Sequence, residues 1–163
     1  ILPFEFVSVT DEYLETLTDL QKKSKEALDL NGLVTQATEL KSEAARLEKT
    51  IGEIRSDYEK ASEDKRIVFE ARFKAINDCL MKLSRILNPI LYTMSGKYGN
   101  DPVGSWYLRP VPNLQEVATL GTLGPNTDSY KALKTQLTRE RNKVSDALDS
   151  AIEIIDITLA RSL

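Results

Sequence analysis

The sequence predicts an all-α fold, an up-and-down four-helix bundle of long heptad-patterned helices with one long ordered loop (about 95–126) carrying a short helix. Three observations predict it. Apolar residues recur at alternating spacings of four and three over two long stretches, 33–61 and 69–94. Five of the seven glycines and four of the six prolines fall within 95–126, so the breakers mark one long connection. The charged residues, 22 basic and 25 acidic, are mixed along the chain as on solvated helical faces. A chain of 163 residues, 41% of them apolar, has the size of one domain with one core.

Taken in order, residues 1–9 (ILPFEFVSV) read as an extended arm. Pro3 keeps the opening out of a helix, and Phe4 and Phe6 stand two apart. Such an arm either covers apolar surface of the bundle or is offered to a partner. A helix is expected over 10–31, with Ser8 or Thr10 as N-cap and Asp11 and Glu12 in the first turn, where the helix dipole favours acids. Its apolar face runs through Tyr13, Leu17, Leu20 and Ala27, widened by Leu14 and Leu28, and Asn31-Gly32 supplies a left-handed end.

The second helix, 33–62, carries Leu33, Ala37, Leu40, Ala44, Leu47, Ile51, Ile54, Tyr58 and Ala61 on one seam. Ala37 and Ala44 keep that seam narrow enough for a neighbour to come close, while Lys41, Glu48 and Glu53 face outward. Gly52 costs about 1 kcal/mol relative to alanine. It marks either a close approach or a tolerated weak point.

The third helix, 65–95, places Phe69, Phe73, Ile76, Leu80, Leu83, Leu87, Ile90 and Met94 on a second seam, broadened by Ile86 and Leu91. From Ala61 to Phe69 is eight residues, one more than a heptad. Either residues 62–65 form a tight turn and the helices fold back as an antiparallel hairpin, or one helix runs on through a change of supercoil. The lack of glycine or proline between Gly52 and Pro89 favours continuity. Length favours the turn, because an unbroken helix from 33 to 94 would reach roughly 90 Å. The hairpin is the preferred reading.

Asn88-Pro89 should kink or restart the helix. Within the loop, Asn113–Leu120 suits about two helical turns capped by Asn113. The last helix, 127–161, is capped by Asn126 or Thr127. Toward its end Ile152, Ile154, Ile155, Ile157 and Leu159 occupy nearly every face, and a helix apolar all round must be covered all round.

The missing residue types bound the function. There is no histidine, which excludes histidine-based triads, histidine-ligated zinc or haem, and the Glu-x-x-His pairs of carboxylate-bridged metal bundles. The single cysteine, Cys79, allows no intramolecular disulfide and lacks a histidine to activate it, so it reads as a structural thiol. No carboxylate pair sits inside an apolar stripe, where a raised pKa would serve acid-base work. The loop glycines match no phosphate-binding or dinucleotide motif. A net charge of −3 without a basic stripe argues against nucleic acid. No apolar run reaches the length of a membrane span and no signal peptide is visible, while the opening at Ile1 rather than methionine suggests a chain trimmed from a longer one. No cofactor, metal or catalytic residue is expected.

The candidate interaction or ligand residues are Trp106, Tyr107 and Arg109 in the long loop, Arg141 in the last helix at a position where its seam calls for an apolar residue, and Ile154 and Ile157 near its end. For each a plainer role exists: Trp106 plugging one end of the bundle, Arg141 laying its stem along the core with its head in water. Two functions follow. The first is a non-catalytic interaction or assembly domain that binds a protein partner or itself. The second is a sensor-type bundle holding a small molecule near Pro89 or beneath Trp106, with Arg109 or Arg141 on an anionic group. An enzyme ranks third.

Overall fold

The computed structural model describes residues 5–24, 26–95 and 109–162, and every regular element among the described residues is helical. In chain order these are α1, Phe6–Ser24; α2, Asn31–Lys60; α3, Glu63–Leu91; a 3-10 turn, Pro112–Leu114; α4, Val117–Leu120; and α5, Asp128–Ser162. Four of the helices are long, and α4 is a single turn of four residues.

The expected arm does not extend to residue 9, because α1 starts at Phe6 and not at residue 10. Pro3 excludes helix only around itself, and residues 1–4 lie outside the described residues. Neither expected cap serves. The Ser8 hydroxyl donates back to the Glu5 carbonyl at 2.9 Å, and that of Thr10 to Val7 at 2.7 Å. Phe6, Thr10, Tyr13, Leu17, Leu20 and Ser24 then form one buried stripe at helical spacing.

The end of α1 also differs, falling at Ser24 instead of residue 31. The apolar pattern misled here, because Leu28 and Leu30 are buried although they lie in the link and not in a helix. Gln21 holds that link by accepting the Leu30 N–H on its side-chain oxygen. Asp29 accepts the Asn31 N–H at 2.9 Å, a carboxylate at the positive end of α2. Asn31-Gly32 therefore opens a helix, and Gly32 has no left-handed backbone.

The step between the two seams is a chain reversal. α2 stops at Lys60, and Ala61 and Ser62 take extended backbone, with ψ of 141° and 157°. Tyr58 then meets Phe69 at 5.8 Å and Phe73 at 5.2 Å between ring centroids. The turn is Ala61-Ser62, not 62–65, because Glu63 and Asp64 already occupy the first turn of α3, where acids are favoured.

α3 ends at Leu91, short of the expected residue 95, with Pro89 inside its last turn. Beyond Pro89 the buried position moves off the seam: Leu91 is 1% exposed whereas Met94 is 50% exposed. The segment that follows is tied to this end. Val111, in a left-handed conformation with φ of 55°, donates its N–H to the Leu91 carbonyl at 2.9 Å. Asn113 does not cap a two-turn helix. Its side-chain nitrogen donates to the Met94 carbonyl at 3.3 Å, which leaves only the 3-10 turn and α4 in place of the expected 113–120 helix. Val111, Leu114, Val117 and Leu120 are all buried. Thr127 does cap α5, its hydroxyl accepting the Tyr130 N–H at 3.2 Å.

α1 packs on α2, while α2 and α3 both pack on α5. α1 runs antiparallel to α2: the Val7 N–H reaches the Glu48 carboxylate at 2.9 Å, and Asp11 pairs with Lys41 at 2.6 Å. α2 and α5 run parallel. Gln36 reaches Ser145 and Asp149, and ten residues further on Arg46 reaches Asp156. Ala37 and Ala44 on α2, and Ala147 and Ala151 on α5, are buried. The apolar end of α5 is largely absorbed by the fold, since Ile152, Ile155 and Leu159 enter the core. No helix among the described residues is long and apolar enough to cross a membrane.

Candidate functional site

Two places stand out among the described residues. The first is the end of the α2–α3 hairpin. α2 meets the start of α1 at Glu48 and continues for twelve residues past that point, to Lys60. α5 follows α2 at an offset of 110 residues and so ends level with Gly52, about 12 Å short of Lys60 at the helical rise. In this stretch Tyr58 of α2 packs against Phe69 and Phe73 of α3.

That pairing has its own small core. Tyr58 contacts Phe69 and Phe73 edge-on, and the Arg66 and Arg72 guanidinium groups lie over Tyr58 at 5.1 Å and Phe69 at 5.8 Å. Such cation–π contacts hold two arginines against the rings. Ile67 and Val68 turn the other way. They are 69% and 63% exposed, the two most exposed large apolar side chains among the described residues. Burying a side chain of this kind is worth about 1.5–3 kcal/mol, so leaving two adjacent ones in water forgoes stability that a polar residue would not.

The second place is a cleft of about 220 Å³ between α1 and α3. Phe6, Val9 and Tyr13 of α1 face Leu83, Leu87 and Tyr92 of α3 and its C-cap across it, with Ser84 and Asn88 also on its wall. Tyr13 is 1% exposed. Burial pushes its hydroxyl pKa far above the ordinary tyrosine range, and a hydrogen bond with Tyr92 adds to the effect. The Tyr13 and Tyr92 rings meet at 5.8 Å and close one end of the cleft.

The residues singled out from the sequence are scattered. Trp106 and Tyr107 lie outside the described residues. Arg109 is exposed and lines a shallow cleft with Glu12, Glu15 and Asp19 of α1. Arg141 is half-buried. It donates to the Asn142 side-chain oxygen at 3.0 Å and reaches the Asp29 carbonyl at 3.5 Å, so it fastens α5 to the link before α2. Ile154 packs against the core, and Ile157 is 42% exposed. Arg109 and Arg141 line different clefts.

Sequence reasoning missed Ile67 and Val68 because it asked which residues a seam would bury. Their signal was there: two adjacent β-branched residues inside the register break, on neither seam. Nothing in the spacing announced the α1–α3 cleft, which depends on how two helices distant in sequence stand side by side.

Cys79 is buried, and its thiol pKa is raised by that burial, with the Thr158 hydrogen bond and Lys82 acting in the opposite direction. Among the described residues no group of three or more Cys, Asp or Glu side chains could hold a metal ion, and no buried side-chain polar atom lacks a partner. In comparisons with known proteins, no family model, no curated protein and no solved structure matches the chain.

Proposed function

We propose that this chain is a non-catalytic protein-interaction or assembly domain: its four long helices form an up-and-down bundle, and the projecting end of the α2–α3 hairpin is the surface offered to another protein. The exposure of Ile67 and Val68 carries this reading. They sit on a stiff support, because the Tyr58, Phe69 and Phe73 rings fix the two helices against each other just behind them. A preordered surface loses less entropy on binding than a flexible one, and two adjacent apolar side chains left in water gain free energy when a partner covers them. Ile157, exposed on α5, is a secondary contact of the same kind.

The test places a photo-crosslinking amino acid at Ile67 in the native source and, as a control, at exposed Lys49. A discrete adduct from position 67 that is missing from position 49 supports the reading, and its mass separates a partner from a second copy. Light scattering over a range of concentrations, comparing wild type with an Ile67→Ser/Val68→Ser double variant, checks self-association directly. No adduct at position 67, together with a strict monomer unaffected by the substitutions, would remove this surface from the argument.

A further inference from the structure

We propose that the cleft between α1 and α3 is a binding site for a small, uncharged, mainly apolar molecule of about ten non-hydrogen atoms. The proposal is independent of the interaction surface at the hairpin end and stands or falls separately.

Size is the first argument. Interiors are close-packed, and an engineered apolar cavity of about 150 Å³ is enough to take up benzene. The α1–α3 cleft measures about 220 Å³, room for a fused bicyclic ring or a short branched chain.

The walls give the chemistry. Phe6, Val9, Leu83 and Leu87 supply the apolar surface, and the polar atoms available are hydroxyl and amide groups, at Ser84 and Asn88 one helical turn apart on α3. Among the described residues no Lys, Arg, Asp or Glu side chain lines the cleft. An ionised ligand would lose its water without gaining a counter-charge, whereas a neutral one carrying a hydroxyl or N–H group finds both surface and a partner.

The fold also explains why this gap persists. Across the α1–α3 cleft the facing residues are large, and the Tyr13–Tyr92 contact holds the two elements apart at one end. Pro89 lies in the same turn of α3, where its missing N–H weakens the helix and allows it to bend. Separation of α1 and α3 is thus set by side chains that cannot be shortened without losing the core.

The experiment is a titration of the whole chain with indole, an uncharged bicycle with one N–H donor, followed by ¹H–¹⁵N spectra, with octanoate as the anionic comparator. Saturable shifts confined to amides around Val9, Tyr13, Ser84 and Leu87 are expected, with octanoate at least tenfold weaker. Val9→Phe should fill the cleft, leave the spectrum dispersed and weaken indole at least tenfold. Should that variant not fold, Ser84→Leu makes the same test from the opposite wall. Non-saturable or scattered shifts, octanoate binding as well as indole, or undiminished affinity in the filled variant would each overturn the proposal.

Discussion

The ring of Tyr13 meets that of Tyr92 with centroids 5.8 Å apart and planes at 51°, a contact that joins α1 to the C-cap of α3. Burial favours the neutral phenol of Tyr13, so its pKa in the folded chain lies well above the ordinary value near 10. A group whose folded pKa is raised contributes its full stability below the unfolded pKa and loses it as pH rises further. Stability should therefore be insensitive to this residue up to about pH 10 and fall above it by about 1.4 kcal/mol per pH unit. Tyr13→Phe should cost about 0.5–1.5 kcal/mol at neutral pH and lack that alkaline slope. Urea unfolding between pH 7 and 11 reads both effects, and equal slopes in the two proteins would contradict the buried-phenol account.

Gly52 settles the question its sequence position raised. A Cβ built there meets nothing within 4 Å, and the backbone has no left-handed conformation. No close approach needs it. Gly52→Ala should stabilise the chain by up to about 1 kcal/mol, seen as a higher denaturant midpoint with an unchanged slope. A loss of stability would mean that another segment reaches this face of α2.

These two residues show what the sequence could and could not convey. The core of the long helices was legible because a buried stripe imposes a period: Leu33, Ala37, Leu40, Ala44, Leu47 and Ile54 are all buried as the seam predicts, and so are Ile76, Leu80, Leu83 and Leu87. The ends were less legible, because burial and helicity separate there. Leu28 and Leu30 keep an apolar pattern in a link, and Leu91 replaces Ile90 on the core side once Pro89 has intervened. The candidate sites were hardly legible at all. Arg109 and Arg141 were candidates to hold an anionic group, and only the fold puts Arg109 in one cleft with Glu12, Glu15 and Asp19 and sets Arg141 beside the Asp29 carbonyl.

Ala44 is fully buried in the α2 seam, while its neighbour Ala45 is exposed. A leucine at position 44 would add three carbons where the neighbouring helices already touch, and overpacking of this kind costs about 1–3 kcal/mol. Ala44→Leu should lower the thermal midpoint by several degrees, whereas Ala45→Leu should leave stability within about 0.5 kcal/mol. The contrast isolates close approach from helix propensity, since the two substitutions are chemically identical. Equal effects would argue that the alanine seam is not where α2 meets its neighbours.

Cys79 tests the α3–α5 junction from inside. The thiol is buried, and burial holds its pKa above the ordinary value near 8.5. Since the thiolate is the reactive form, Cys79 should react with a disulfide reagent at pH 8 at least about a thousandfold more slowly in the native chain than in urea. The native rate should follow opening of the structure, rising in proportion as mild denaturant is added, because α3 and α5 must separate before the reagent can reach the sulfur. Ala44→Leu should raise that rate by the same factor by which it lowers global stability if opening at Cys79 requires global unfolding. A rate that ignores Ala44→Leu would show instead that α3 leaves α5 in a local opening while α1 and α2 remain in place.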